Sequence, residues 1–168
     1  MSRAVVLGAN GQLGSDLILH SPETWEVVSH FRSEWDVTHE GGFEYLREIN
    51  PDVIINTTAF HNVDECERNP ALAYSVNRDA VDNLAKIAER IGAILAHIST
   101  DYVFGNSENE KNQPFTENSE PSPLNIYGKS KLEGEESIRE NLERHYVMRI
   151  SSVFGKAGAS GKGGNFVY

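Results

Sequence analysis

The sequence holds a single cysteine, Cys66, so no intrachain disulfide is available and a reducing cytoplasm is its natural home. Basic residues are also scarce: 15 Lys and Arg stand against 25 Asp and Glu, a net charge of −10. So acidic a chain lacks the basic face that non-specific nucleic-acid binding needs, although a local basic pocket for one phosphate is compatible with it. No apolar run approaches the roughly 20 residues that cross a bilayer, which argues against a membrane partner. RAVVLGA at the N-terminus is too short for a secretory signal and runs straight into a glycine turn. The six His are scattered, with only His61 and Cys66 near each other, so metal-ligand spacing is missing and no metal site is expected. What remains is an ordinary globular chain of 168 residues, 39% hydrophobic and 24% charged, long enough to bury a core.

What is present is an alternation. Short Val- and Ile-rich runs at about 3–7, 26–31, 53–56, 93–98 and 145–150 read as strands. Helical patterns fill the gaps at roughly 11–20, 41–49, 71–91 and 126–143. That order predicts an α/β fold with a doubly wound parallel sheet of the Rossmann type, residues 1–168 forming one NAD(P)-binding domain. Asn69 and Pro70 read as the cap and first position of the third helix, and Gly92 as its left-handed end. The stretch from Gly105 to Asn125, with Pro114, Pro121 and Pro123, is longer than a simple connection needs, and loops of that length are usually functional. The tail GKAGASGKGGNFVY is glycine-rich with no closing element, and the chain reads as cut off.

Gly8, Gly11 and Gly14 follow the first strand and open the first helix. Glycine there permits a sharp turn and close approach to a pyrophosphate, whose charge suits the positive helix N-terminus. Glycine is common in strand-to-helix turns, so the motif alone is weak; its place at the first βα junction strengthens it. The end of the second strand selects the cofactor: a carboxylate suits the ribose of NAD, a cation the 2′-phosphate of NADP. Here the chain reads Phe31-Arg32-Ser33, so Arg32 favours NADPH, with NADH left open. Asp36, in WDVT, falls where adenine would lie, or else caps the following turn.

Tyr127 and Lys131, four apart in NIYGKSKLEGEE, project from one face of a helix. An ammonium beside a phenol lowers its pKa from about 10 and prepares a proton donor and acceptor for carbonyl and alcohol chemistry. Thr100, in HISTDYVF, stands at the end of the fourth strand, which puts its hydroxyl in the crevice at the strand carboxyl ends. Taken singly, these are a packed aromatic, a surface charge and a turn residue. Their joint placement with the glycine turn points to a nicotinamide-dependent oxidoreductase.

GANGQLG, PDVIINTTAFHNVDECE, ISTDYVF and PLNIYGKSKLEGE together resemble the N-terminal part of the dTDP-4-dehydrorhamnose reductase family, within the extended short-chain dehydrogenases/reductases. The resemblance covers nearly the whole chain. It implies that Tyr127 protonates the C4 oxygen of a dTDP-4-keto-6-deoxy sugar while NADPH delivers hydride to C4. Lys131 would tune Tyr127 and bind the nicotinamide ribose, Thr100 would bond the substrate oxygen, and Asp101 would lie beside the sugar. Asn10, Gly11, Gln12 and Leu13 would wrap the pyrophosphate, and Asp36 and Val37 would flank the adenine. Thr58, Ala59, Phe60 and His61 would line the cofactor trough, and Asn77 would order the water network beneath it. The implied partner is a dTDP-sugar, with a homodimer left open.

Two departures bear on the substrate. The family pattern R-T-S-W-x-Y-G becomes Arg149-Ile150-Ser151-Ser152-Val153-Phe154-Gly155, so Ser152 replaces a tryptophan expected against the sugar. The family also has a C-terminal substrate region, of which Asn165 would be a first diphosphate contact. Among alternatives, sugar-nucleotide dehydratases carry an Asp-Glu pair where this chain has Asp101 and Tyr102, and a phenol is a poor base for the proton that an elimination removes. Dehydratases and epimerases also retain their NAD through the cycle, against the sense of Arg32. A non-catalytic regulatory subunit on the same scaffold is opposed by the intact Thr100, Tyr127 and Lys131.

Overall fold

A computed structural model describes residues 1–105 and 114–155 of the chain. Five strands, β1 (Ser2–Leu7), β2 (Trp25–His30), β3 (Val53–Asn56), β4 (Ile94–Thr100) and β5 (His145–Ile150), form one sheet in the order β2-β1-β3-β4-β5. All four pairings are parallel. Ala4, Val5, Val6 and Leu7 of β1 are all buried, the continuous apolar run of a strand covered on both faces. Chain order reverses between β1 and β3, and that switch point opens a crevice at the strand carboxyl ends.

The helices are α1 (Gln12–Leu19), α2 (Gly42–Ile49), α3 (Val63–Arg68), α4 (Pro70–Tyr74), α5 (Ala80–Ile91) and α6 (Ile126–Asn141). In α5, Ala80, Val81, Leu84, Ala85, Ile87 and Ala88 are buried, a stripe at helical spacing. It packs with Leu46 of α2 and Ile138 of α6 over Val5, Leu7, Ile54 and Leu95 of the sheet. Asn69 caps α4 by accepting from the Leu72 amide, Pro70 opens it, and Gly92 ends α5 with φ 70°, as the sequence predicts. The buried face of α6 is small and polar instead: Gly128, Ser130, Lys131, Gly134 and Glu135. A Cβ at Gly134 would come within 2.2 Å of the Asn77 carbonyl, so this face lets α6 lie directly on a neighbouring backbone.

Two expectations are corrected. The helix expected over 71–91 is broken: between α4 and α5, Ser75–Asp79 forms a π-type turn. The wider turn carries Asn77 inward, where it is buried and clamps the Phe60 amide and carbonyl (2.9 and 3.0 Å) and the Ser130 hydroxyl (3.0 Å). The second correction is α3, which lies where no helix is expected. Its signal was present: Asn62 caps it by accepting from the amide of Glu65, with the acid at the third helical position. The expected loop from 105 to 125 falls partly outside the described residues, as does Asn165. Among the described residues no helix is long and apolar enough to cross a membrane.

Candidate functional site

The crevice is a cleft of about 930 Å³. Gly8, Asn10, Gly11, Gln12 and Leu13 line one end, Arg32, Asp36 and Val37 the rim beside β2, and Thr58, Ala59, Phe60 and His61 the floor beyond β3. Thr100, Asp101, Tyr127, Lys131 and Ser152 line the far wall. Seventeen candidate residues from five strand ends and two helices thus share one cavity. Gly14 does not line it but stands behind the turn. A Cβ there would approach the Gly8 carbonyl to 2.3 Å, and Gly8 itself has φ 82°. The two glycines let α1 begin hard against the end of β1, so that its N-terminal amides face the cleft.

At the β2 end, Arg32 Nε donates to Asp36 Oδ2 at 2.7 Å, and Asp36 Oδ1 accepts from the Thr38 amide (3.0 Å) and hydroxyl (2.8 Å). Asp36 therefore caps its own turn, the second of the two readings its position allows. Partial burial pushes its carboxyl up, but the Thr38 donors and the Arg32 guanidinium outweigh it and bring it down to about 2. Arg32 remains largely exposed at the rim, held to Asp36 through Nε.

At the far wall, Thr100 is the last residue of β4, and its hydroxyl accepts from the Tyr102 amide at 3.2 Å. The Thr100 hydroxyl donates to Asp101 Oδ1 at 3.2 Å, and the Tyr127 ring meets Tyr102 edge-to-face at 5.6 Å. Asn125 caps α6 by accepting from the Gly128 amide at 2.8 Å, which fixes where the first turn, and so Tyr127, enters the cleft. The expectation that Lys131 depresses the Tyr127 phenol is corrected here. Burial holds the phenol above its ordinary value, against the opposing pull of Thr100. Lys131 is buried, with Nζ donating to the Ile98 carbonyl at 2.7 Å and touching His97 Nε2 at 3.1 Å. Its charge is thus directed under the sheet end rather than onto the phenol.

Several site residues went unread in the sequence. Gln12 Nε2 donates to the Val153 carbonyl at 3.0 Å, tying the glycine turn to the segment after β5. His30 lines the cleft with both ring nitrogens buried and without a hydrogen-bond partner, stacked edge-on to Trp35 and Tyr45. His97 and Asn56 sit beneath the far wall. Their period-2 positions in two strands were legible, but which of the alternating faces the helices cover was not. Among the described residues no cluster of three potential ligands could hold a metal ion.

An open parallel sheet, a glycine turn at its switch point and a long cleft across the strand ends define a Rossmann-type dinucleotide-binding scaffold. The family follows from comparison: the model described as RmlD substrate binding domain matches residues 2–168, and the chain belongs to that family. It is 36% identical over 162 residues to the dTDP-4-dehydrorhamnose reductase of Mycobacterium tuberculosis, covering 95% of this chain and 52% of that protein. A solved dTDP-4-dehydrorhamnose reductase of Clostridium acetobutylicum superposes with a TM-score of 0.88 at 35% identity, covering 98% of this chain and 56% of that one. The Bacillus anthracis reductase, solved in complex with NADP, gives 0.87 at 34% identity, covering 93% and 56%. The chain spans about half the length of the curated relatives it matches.

Proposed function

We propose that this chain is the cofactor-binding half of an NADPH-dependent reductase acting on the C4 keto group of a dTDP-4-keto-6-deoxy sugar, dTDP-4-dehydrorhamnose to dTDP-rhamnose, in nucleotide-sugar supply for surface polysaccharide. One observation carries the reading: Thr100, Tyr127 and Lys131 share a single cleft with the glycine turn at the strand carboxyl ends. The residues present fit the cofactor. A side chain at Gly8, with its positive φ, would meet Thr57 at 2.8 Å, so glycine lets the turn close at the mouth of the cleft beside the α1 N-terminus, and Arg32 offers a guanidinium at the rim.

NADPH, when bound, supplies the hydride that reaches the sugar C4. Thr100 is placed to donate to the carbonyl oxygen, and Tyr127 gives that oxygen its phenolic proton, leaving an alcohol and a phenolate that regains its proton from solvent. Because burial keeps Tyr127 protonated at neutral pH, it begins as the acid that a reduction needs. Asp101 and Ser152 line the same wall and are the substrate-facing candidates; a serine where a tryptophan would pack leaves that wall open to a sugar of different substitution. A cytoplasmic home accords with one free buried thiol.

The test is loss of nicotinamide absorbance with a dTDP-4-keto-6-deoxy sugar, in a polypeptide carrying this chain at the length of its relatives. Turnover is expected; its absence with a folded, NADPH-binding protein would remove the catalytic reading. Cofactor choice is tested separately by Arg32→Asp. Losing a charge-assisted fork costs about 1.5–3 kcal/mol, trimmed toward the lower end because Arg32 is exposed and screened. NADPH affinity should fall about tenfold, a change of about 1.4 kcal/mol, while NADH affinity holds. Equal losses for both cofactors, or none, would take the selector role from Arg32.

A further inference from the structure

Tyr127 is held through its backbone, and one of the holds comes from a residue that the proposed reaction leaves out. The first amides of a helix have no carbonyl behind them and need partners from elsewhere. In α6 the Gly128 amide goes to Asn125, the cap, at 2.8 Å. The Ile126 amide, one residue before Tyr127, donates instead to Glu67 Oε1 at 2.7 Å, across 59 residues of sequence. An N–H given to a carboxylate at a helix N-terminus is a charge-assisted bond that the helix dipole favours. The two partners differ in what they fix. Asn125 belongs to the segment that leads into α6 and moves with it, whereas Glu67 ties the start of α6 to another element.

That element is α3, with Glu67 in its last turn. The first turn of α3 faces the cleft, where Asn62, Val63 and Asp64 join Phe60 and His61 in the lining. Cys66 fastens the helix to this floor: it is buried, and its Sγ donates to the Phe60 carbonyl at 3.3 Å. A second path runs from the same floor to Tyr127. Asn77 clamps Phe60 and donates to Ser130 Oγ at 3.0 Å, and Ser130 donates to the Tyr127 carbonyl at 2.9 Å. We propose that Glu67 is a positioning residue, whose carboxylate sets the entry of α6 and so the place of the Tyr127 phenol over the cleft floor. Its effect on rate rests on the reductase reading; its effect on the ring does not.

The packing leaves little room for α6 to start elsewhere. A Cβ at Gly128 would come within 2.3 Å of the Tyr102 carbonyl, so the first turn lies directly on that backbone. The Tyr102 ring meets Tyr127 edge-to-face at 5.6 Å, and a shifted helix start changes this contact. A misplacement of about 1 Å can cost a reaction about 10²-fold. Glu67 is exposed, and water can take over part of the lost bond, so the loss expected from removing its carboxylate is smaller. Glutamine separates position from charge, because its side-chain oxygen still accepts the Ile126 amide.

The test has two arms. NMR on the 168-residue chain should show a coupling across the hydrogen bond between the Ile126 amide nitrogen and the Glu67 carboxyl carbon. It should also show Overhauser contacts between the Tyr127 and Tyr102 rings, weakened in Glu67→Ala and kept in Glu67→Gln. In a polypeptide carrying this chain at the length of its relatives, Glu67→Ala should lower kcat about tenfold, with the NADPH Kd and the sugar KM within about twofold of wild type. Glu67→Gln should restore most of that rate. A merely structural role would instead lower Tm and cofactor affinity without this split. A missing coupling in the wild type, which needs no variant, would overturn the proposal. So would ring contacts unmoved in Glu67→Ala, or a glutamine variant as slow as the alanine one. A wild type that reduces no keto sugar would strike the reductase reading, and the ring contacts would still decide what Glu67 does.

Discussion

Tyr127→Phe is expected to cut turnover by about 10²–10⁴-fold, the usual worth of a positioned acid, while fold and NADPH affinity stay in place. The phenylalanine ring keeps the edge-to-face packing on Tyr102 and loses only the phenolic hydroxyl. Lys131→Met should behave differently, lowering turnover and cofactor affinity together, because Lys131 lines the cleft between the glycine turn and Tyr127. It also leaves the Ile98 carbonyl and the His97 ring short of a partner, at a stability cost of about 1–3 kcal/mol. Steady-state rates and a cofactor titration on both variants separate the roles. A phenylalanine variant at near-normal rate would remove Tyr127 as the proton donor.

Glu135→Ala should be the most damaging change outside the cleft. Glu135 is fully buried, accepts from Ser99 Oγ at 2.5 Å, and is gripped by Arg149 through Nε (3.0 Å) and Nη2 (2.7 Å) and by Arg139 at 2.9 Å. It pins α6 to β4 and β5 at once. Removing the carboxylate strands the mostly buried Arg149 guanidinium, a loss of about 3–5 kcal/mol, and a fall in Tm on the order of 10 °C. Burial pushes the Glu135 carboxyl up, but Arg149, Ser99 and Arg139 outweigh it, so its folded pKa lies below the ordinary value. A depressed carboxyl contributes stability above its unfolded pKa of about 4.3 and loses it as pH falls through the folded value. The Tm gap between wild type and variant should therefore be full at neutral pH and narrow below about 4.3. Calorimetric scans across that range check this, and a gap independent of pH would mean that the charge is not what matters.

The sheet was legible because its strands are short, apolar and spaced by helix-length segments, and β2 at Trp25–His30 departs from the expected 26–31 by one residue at each end. The glycine turn and the Tyr127–Lys131 spacing are local signals, and the residues they point to line one cleft. Two of the failures are non-local. Nothing within 71–91 announces a π-type turn, because its cause is Phe60 and Ser130, distant residues that Asn77 must reach. The helix pitch correctly put Lys131 on the face of Tyr127, but not the partner that claims its nitrogen, since His97 lies 34 residues away on a strand. α3 went unread because its six residues are mostly charged and lack an apolar stripe, though the Asn62 cap was in plain view.

Titration calorimetry of NADPH into the 168-residue chain asks directly whether the cleft is a dinucleotide site. One equivalent of NADPH should bind more tightly than NADH, with the preference lost in Arg32→Asp and both affinities reduced in Lys131→Met. A folded chain that takes up neither cofactor would contradict a dinucleotide site.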